Sequence, residues 1–264
     1  MKIKQLALIN NLTQKKDNIL HYIMGHKKLI RFNAIKTFAN VIENDTSLKG
    51  KWENHFGNQH PITLELACGK GEYTVGLSQI YPHRNHIGVD IKGNRIYIGA
   101  KKCLENNITN AAFLRTAIDG ISSFFGVNEI NEIWITFPDP QLRWGKLNKR
   151  LTHPKYLRAY HQFLQKGGLV HLKTDSPELY NFTKTVIALH GLQTITDYND
   201  VYAQSHLSDS SNNFAKALKI KTHYEGLNIS GSNKIYYLCF SLDTLTTDNK
   251  DAELKAMLKP TELP

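Results

Sequence analysis

Between residues 59 and 243, short apolar runs alternate with segments that have the spacing of amphipathic helices. Seven runs rich in β-branched and aromatic residues predict strands: Pro61–Cys68, His86–Ile91, Ala111–Thr116, Ile133–Phe137, Leu169–Lys173, Leu192–Asp197 and Lys234–Leu242. Helices are predicted near Glu72–Ile80, Asn94–Asn106, Pro154–Gln165, Pro177–His190 and Ser208–Leu218. The pair Gly167–Gly168 is expected to end the third of these helices. Strands that alternate with helices pair mainly in parallel, with helices on both faces. We therefore predict an α/β fold with a seven-stranded, mainly parallel sheet.

The alternating region is predicted to be one domain, because no Pro/Gly/Ser-rich linker divides residues 59–243. Residues 1–58 form a basic N-terminal extension with a mostly helical pattern, and its positive charge is concentrated between His26 and Lys36. This segment could contact nucleic acid or could be a solvated helix face; charge alone leaves both open. Residues 244–264 are polar and are predicted to form a frayed C-terminal tail.

The charge of the chain points to its partner. The net charge is +10 over 264 residues, which favours a polyanionic partner through neutralisation of phosphates and release of counterions. No apolar run approaches the roughly 20 residues that a membrane span requires, and the first residues are too polar for a signal peptide. We therefore expect a cytoplasmic protein with no membrane contact.

The cysteines and histidines argue against a metal or disulfide framework. The three cysteines are scattered, with no C-x-x-C pair, which fits a reducing compartment. The twelve histidines are dispersed, and none pairs with another at helical spacing beside an acid. We expect no metal site.

One carboxylate is placed at the end of the fourth predicted strand. The run Ile133–Phe137 stops at Pro138 and Pro140, which flank Asp139. Proline cannot donate to a sheet and restricts the residue before it, so the strand must end here and Asp139 must lie in a stiff, extended turn. A cationic segment follows, with Arg143, Lys146, Lys149 and Arg150. Ligands of open α/β sheets bind at the carboxyl ends of the strands.

The first two strands carry a pair of acids that indicates a cofactor. Glu65 lies inside the first strand, immediately before the glycine-rich turn of LELACGKG, where it would repel a phosphate but hold an ammonium group. Asp90 ends the second strand, at the position where nucleotide-binding α/β folds hold ribose hydroxyls. Together the acids specify a nucleoside that carries a cationic amino acid, and S-adenosylmethionine meets that description. Each acid alone could instead be a structural cap.

Seven segments carry a resemblance to a known family. They are RFNAIKTFANV, LELACGKGEYT, GVDIKGNRI, ITFPDP, KRLTHPKYL, HLKTD and THYE. From about residue 27 to 238 the chain resembles the bacterial tRNA (guanine-N7-)-methyltransferases, which have the Rossmann-like class I methyltransferase fold. The glycine-rich segment is common to many methyltransferases, whereas the combination of FPDP, KTD and T-x-Y-E is far more specific.

The resemblance implies a reaction and a set of site residues. The implied reaction transfers the methyl group of S-adenosylmethionine to N7 of the variable-loop guanine (position 46) of tRNA, in a monomer or a weak homodimer. The implied catalytic residue is Asp139. The implied cofactor-binding residues are Glu65, Gly69, Gly71, Asp90, Thr116, Ala117 and Asp139. The implied substrate-binding residues are Arg143, Asp175, Thr222, His223, Tyr224 and Glu225. The implied RNA contacts are Lys146, Lys149 and Arg150.

The chain departs from the family pattern in three places. Ala67 replaces the first glycine of the turn, which a Cβ tolerates if φ is negative. Thr116 stands where the family has an acid or amide, and its hydroxyl can still make one hydrogen bond to adenine. After Asp139, Gln141 and Leu142 replace tryptophan and proline, and a dense K-K-R-H run is thinned to residues 143–146.

Three other functions are compatible with the pattern. An enzyme that methylates an amino group of adenine or cytosine would show an N-P-P-Y or D-P-P-Y motif after the fourth strand, and FPDP lacks that aromatic residue. A small-molecule methyltransferase is disfavoured by the positive charge. A non-catalytic RNA-binding protein with the same fold is disfavoured by the joint presence of Glu65 and Asp90.

Overall fold

One eight-stranded sheet runs through the part of the chain that the computed structural model describes, residues 26–209, 211–227 and 230–259. The strands are Val41–Glu43 (β1), Ile62–Leu66 (β2), Asn85–Asp90 (β3), Ala111–Arg115 (β4), Ile130–Thr136 (β5), Leu164–Thr174 (β6), Thr194–Tyr198 (β7) and Tyr236–Ser241 (β8). Their order across the sheet is β1-β4-β3-β2-β5-β6-β8-β7. The pairings from β1 to β6 are parallel, and β8 is antiparallel to both β6 and β7. The prediction of a mainly parallel sheet is confirmed.

Helices cover both faces of the sheet. They are residues 26–34 (α1), Trp52–Phe56 (α2), Glu72–Ile80 (α3), Gly93–Glu105 (α4), Pro154–His161 (α5), Pro177–Leu189 (α6), Asn213–Leu218 (α7) and Asp251–Leu258 (α8). Successive residues of β5 enter different cores, because side chains alternate along a strand. Ile133 packs in the core that contains Leu157 of α5, and Trp134 packs in the core that contains Tyr73 of α3. None of the helices in the described ranges is both long and apolar enough to cross a membrane.

The eighth strand lies in the N-terminal extension. β1 pairs with β4 in parallel, and Arg115 donates a 2.9 Å hydrogen bond to Glu43 across the pair. The extension also packs against α4, since a Cβ added at Gly93 would lie 2.6 Å from the Ile35 side chain. All three residues of β1 are half-buried, so no alternation marks the strand in the sequence. The expected count of seven strands is therefore one too low, and the extension is not helical at this point.

Two other boundaries differ from the sequence-based expectation. The pair Gly167–Gly168 was expected to end a helix, but α5 ends at His161 and the glycines lie inside β6. Gly167 has φ of +76°, so it bends the strand where β6 shifts its register against β5. The helix predicted over Ser208–Leu218 begins later, at Asn213 (α7). The Asn212 side chain fixes this start, because it accepts hydrogen bonds from two backbone N–H groups of the first turn.

The C-terminal tail is more ordered than expected. Residues Asp251–Leu258 form α8, and Leu254 is buried in the main core. The helix packs against α6, so the expectation of a frayed tail is wrong for these residues.

The turn after β2 bends through left-handed backbone conformations. Ala67, Gly69 and Gly71 have φ values of +57°, +57° and +73°. The condition under which Ala67 would be tolerated without strain, a negative φ, is not met. No other residue fits at position 71, because a Cβ there would lie 2.5 Å from the Phe113 ring. The alanine therefore adopts a conformation that costs a residue with a Cβ about 1–2 kcal/mol.

We expect Ala67→Gly to raise the free energy of unfolding by about 0.5–1 kcal/mol. Relief of the left-handed strain exceeds the larger conformational entropy that glycine adds to the unfolded chain. Urea unfolding measures the change. Ala112→Gly, at a buried position of β4 without a positive φ, is the matched control and should destabilise the protein. Equal destabilisation by both substitutions would contradict the strain at Ala67.

Candidate active site

The carboxyl ends of β2 to β6 meet along one edge of the sheet, because these five strands run in the same direction. The glycine-rich turn follows β2, and Asp90 ends β3. Thr116, Asp139 and Asp175 follow β4, β5 and β6. The topology therefore brings five of the predicted positions to the edge where ligand crevices form in open α/β sheets.

Glu65 is buried at the end of the central strand β2, and its carboxylate joins three elements. One oxygen accepts hydrogen bonds from the backbone N–H (2.7 Å) and the hydroxyl (2.5 Å) of Thr74, in the first turn of α3. The other oxygen accepts a 3.0 Å hydrogen bond from the Thr136 hydroxyl at the end of β5. The residue that caps α3, Gly71, has no side chain to offer, so Glu65 supplies the cap from the neighbouring strand.

Burial dominates the protonation of Glu65. The pKa of the carboxyl is raised to about 7, mainly by burial and in smaller part by the negative charge of Glu72, against the hydrogen bonds from Thr74 and Thr136, which lower it. The predicted contact of Glu65 with a ligand ammonium group stays a prediction. The contacts present in the structure are those of a helix cap.

Asp90 lies beside the glycine-rich turn and retains hydrogen-bond acceptor sites for a ligand. Its two oxygens accept one hydrogen bond each, from the Gly69 N–H (3.0 Å) and the Lys92 N–H (2.8 Å). A carboxylate has about four acceptor sites, so each oxygen retains one. The side chain is mostly buried, and it therefore presents a fixed acceptor pair at the strand end.

The T-x-Y-E segment, Thr222–Glu225, covers the glycine-rich turn from a distant part of the chain. The N–H of His223 donates a 3.3 Å hydrogen bond to Glu72, at the start of α3. The Tyr224 ring would lie 3.7 Å from a Cβ built on Gly69. The fold thus brings two predicted groups, the turn and the T-x-Y-E segment, into contact.

A buried ion pair fastens the T-x-Y-E segment to the sheet. The ammonium group of Lys173, near the end of β6, donates to Glu225 at 3.0 Å and to the carbonyl of Ile220 at 3.1 Å. The Tyr202 hydroxyl donates to the other carboxylate oxygen of Glu225. Both oxygens of Glu225 are therefore engaged by the protein itself, and its predicted contact with substrate stays a prediction.

The Lys173 ammonium group is fully buried among aromatic rings. It lies 5.5 Å from the ring centre of Tyr73 and 5.4 Å from that of Phe137. Burial lowers the pKa of Lys173 to about 8, against the opposing attraction of Glu225. The ammonium group of Lys173 is thus buried below the sheet edge, where one carboxylate and the faces of aromatic rings stabilise its charge.

The FPDP segment leaves the sheet through a strained residue. β5 ends at Thr136, one residue before the predicted end at Phe137. Phe137 instead adopts a left-handed φ of +46°, while its N–H donates to the Lys173 carbonyl at 2.8 Å. Asp139 is exposed, and its carboxylate accepts a 3.0 Å hydrogen bond from the Gln141 N–H. One oxygen therefore shapes the turn, and the side chain faces the solvent above the sheet edge.

The cationic loop, residues 141–150, presents three of its four cations to solvent. Arg143, Lys146 and Lys149 are exposed, around a 3-10 turn that spans Trp144–Lys149. Arg150 is buried: its guanidinium lies over the Phe182 ring. This arrangement favours a structural role for Arg150 over the predicted direct contact with RNA.

Three further predicted residues lie at the same edge without a decisive contact. Thr116 is buried, Ala117 is exposed and Asp175 is half-buried. Their roles stay predictions.

Comparisons with known proteins identify the family. The family model described as "Putative methyltransferase" matches residues 59–238. The tRNA (guanine-N(7)-)-methyltransferase of Porphyromonas gingivalis is 42% identical over 214 residues, which are 81% of this chain and 84% of that protein. The protein of the same name from Christiangramia forsetii is 41% identical over 229 residues, 83% of this chain and 100% of that protein. The chain belongs to the tRNA (guanine-N7-)-methyltransferase family.

A solved structure supports the fold of this methyltransferase. The 16S rRNA methyltransferase KamB has a TM-score of 0.53 and 14% sequence identity, over 76% of this chain and 97% of that one. The class I methyltransferase fold implied by the sequence resemblance is confirmed, with β1 as an additional strand.

The residues that hold the methyltransferase site together were not predicted from the sequence. Thr74 and Thr136 bind Glu65, and Lys173 with Tyr202 binds Glu225. Only Lys173 carried a visible signal, since it is a charged residue at the end of a mostly apolar strand that reads LVHLK. The others are common polar residues whose partners are distant in sequence.

We expect the stability of the methyltransferase to fall between pH 5 and 8 by about 2–3 kcal/mol through Glu65. Its folded pKa, about 7, exceeds the ordinary 4.5, so its contribution is complete below the ordinary pKa and is lost as the pH rises through 7. Glu65→Gln should flatten this dependence in urea unfolding. Glu253→Gln, exposed on α8, should retain it, and identical pH curves for wild type and Glu65→Gln would contradict the assignment.

We expect Lys173→Met to lower the free energy of unfolding by about 3–5 kcal/mol, because Glu225 is left buried without its partner charge. The double variant Lys173→Met/Glu225→Gln should recover part of this loss, since neither charge then remains. Urea unfolding of the wild type, of both variants and of Glu225→Gln gives the double-mutant cycle that measures the coupling energy of the pair. A double variant no more stable than Lys173→Met alone would count against the ion pair.

Proposed function

We propose that this methyltransferase transfers the methyl group of S-adenosylmethionine to N7 of the guanine at position 46 in the variable loop of tRNA. The observation that carries the proposal is the meeting, at one sheet edge, of the Asp90 acceptor pair, the exposed Asp139 carboxylate and an exposed cationic loop, in a chain of this family. The product is 7-methylguanosine. We further propose that the enzyme acts in the cytoplasm, as a monomer or a weak homodimer.

The residues at the edge fit the cofactor. The free acceptor sites of Asp90 suit the two hydroxyls of a ribose, and Gly69 leaves the backbone of the turn open, with Tyr224 as the nearest wall. Thr116 and Ala117, after β4, are proposed to line the adenine side, and Glu65 with Gly71 shapes the turn. When bound, S-adenosylmethionine supplies an electrophilic methyl group on a sulfonium centre.

The chain has two main tasks in the reaction. N7 of guanine carries a lone pair and needs no deprotonation, so the protein has to hold the base in line with the methyl group. Positive charge then develops on the purine, which a nearby carboxylate stabilises. We assign this role to Asp139, because its carboxylate is exposed and makes one hydrogen bond within the chain.

Holding of the base is assigned to the groups around Asp139. Asp175 is half-buried after β6 and offers a second carboxylate for the N1 and N2 donors of guanine. Thr222, His223 and Tyr224 stand over the turn, and Lys173 keeps their segment in place through Glu225. Arg143, Lys146 and Lys149 are proposed to bind phosphates of the tRNA backbone.

Methyl transfer from labelled S-adenosylmethionine to unmodified tRNA, followed by nucleoside analysis, tests the proposed function. The expected product is 7-methylguanosine, and tRNA in which guanine 46 is replaced by adenine should accept no label. Label in adenosine, cytidine or protein would overturn the proposal. Absence of S-adenosylmethionine binding in calorimetry would instead support a non-catalytic RNA-binding protein.

We expect Asp139→Ala to lower kcat by at least about 100-fold, while the Kd for tRNA changes little, because the carboxylate acts on charge that develops in the transition state. Single-turnover methyl transfer and tRNA binding measure the two effects. Asp139→Asn keeps an acceptor for the Gln141 N–H and removes only the charge, so it should lose activity nearly as severely. Equal loss of binding and turnover would assign Asp139 to folding of the loop.

A further inference from the structure

Trp144 is an exposed tryptophan inside the cationic loop. Its exposed fraction is 46%, whereas those of Trp52 and Trp134 are 0% and 2%. Within the described residues, the indole of Trp144 makes no ring contact and no hydrogen bond. The methyltransferase thus displays a large, flat apolar ring to solvent at a position where the family resemblance assigns no role.

The loop that carries Trp144 is fastened at its base. The Gln141 N–H donates to Asp139 at 3.0 Å, and the Gln141 carbonyl accepts two 3.4 Å hydrogen bonds from the guanidinium of Arg150. That guanidinium lies 4.5 Å from the ring centre of Phe182, and Leu147 is buried beneath the turn. The ends of the loop are therefore held together, and Trp144 lies on a pre-formed turn. Binding of a ligand to this turn costs little conformational entropy, because the loop is already ordered.

The surroundings of Trp144 select the kind of ligand. Arg143 precedes it, Lys146 and Lys149 follow it, and all three are exposed. Cations bind the phosphates of a nucleic acid, and an exposed aromatic ring between them is suited to stack on a base. A protein partner or a lipid surface would require a wider apolar face than one indole beside the exposed Leu142.

We propose that Trp144 stacks on an unpaired nucleobase of the RNA substrate while the neighbouring cations bind its phosphates. This inference rests on the proposed function and adds a base contact that the resemblance does not assign. Since the loop follows Asp139 directly, a base held on Trp144 fixes the RNA strand close to the reacting guanine. Trp144 is a binding residue and takes no part in the methyl transfer itself.

Tryptophan fluorescence gives a direct test, because Trp144 is exposed and the other two tryptophans are buried. Saturating unmodified tRNA should quench the emission of the wild-type protein, as stacking on a base quenches indole. Trp144→Phe should retain tRNA binding within about threefold, since a phenyl ring still stacks, but should lose the quenching. Quenching of equal size in Trp144→Phe would overturn the inference.

Binding measured over a range of salt concentrations separates stacking from charge. Trp144→Ala should raise the Kd for tRNA by roughly 5- to 150-fold at every salt concentration, with an unchanged slope of log K against log salt. Lys146→Ala, from the same loop, is the matched control and should reduce that slope by about 1. Thermal unfolding of Trp144→Ala should match the wild type, because the side chain packs against little. A Kd within twofold of the wild type would overturn the inference.

Formation of 7-methylguanosine by the wild-type protein keeps the two proposals distinct. If the wild type methylates tRNA and Trp144→Ala binds tRNA normally, only the stacking inference fails. If the wild type forms no 7-methylguanosine but tRNA quenches Trp144, the proposed reaction fails and stacking on RNA is supported.

Discussion

The hydrogen bonds accepted by Glu65 are the constraint on which the sheet edge depends. A carboxylate at the end of the central strand holds the first turn of α3 and the end of β5, so the glycine-rich turn between β2 and α3 has both of its neighbours fixed. Burial of an acid is costly, and the raised pKa of Glu65 reflects that cost. The site thus begins with an acid held inside the protein by hydroxyl and amide donors.

A buried ion pair holds a later segment of the chain over the site. Lys173 and Glu225 are 52 residues apart, yet their ion pair ties the segment over the glycine-rich turn to β6. Such pairs are often no more stabilising than well-packed apolar residues, but they accept only one arrangement. In this methyltransferase the arrangement sets the position of Thr222 to Tyr224 relative to Gly69, which apolar contacts alone would define less closely.

Local patterns in the sequence predicted the strands β2 to β6 and the edge positions Asp90 and Asp139, because strand ends are marked by glycine and proline. They could not predict β1, because its three residues form a strand by pairing with β4, which is distant in the sequence. The same limit applies to the partners of Glu65. A structural cap was an open alternative for this acid, but a cap supplied from a strand leaves no pattern in the sequence that identifies Thr74 and Thr136. The predicted helix end at Gly167 is wrong because a left-handed glycine occurs at a strand bend as well as after a helix.

The short strand β1 has a consequence for the solubility of the isolated domain. By pairing with β4, it occupies the outer edge of that strand at Phe113, Leu114 and Arg115, and its own length of three residues offers little for another chain to join. A fragment beginning at residue 59, where the family match begins, would expose the apolar β4 as an open border. Edge-to-edge aggregation would then compete with folding, so pairing of the extension with β4 protects the domain from self-association.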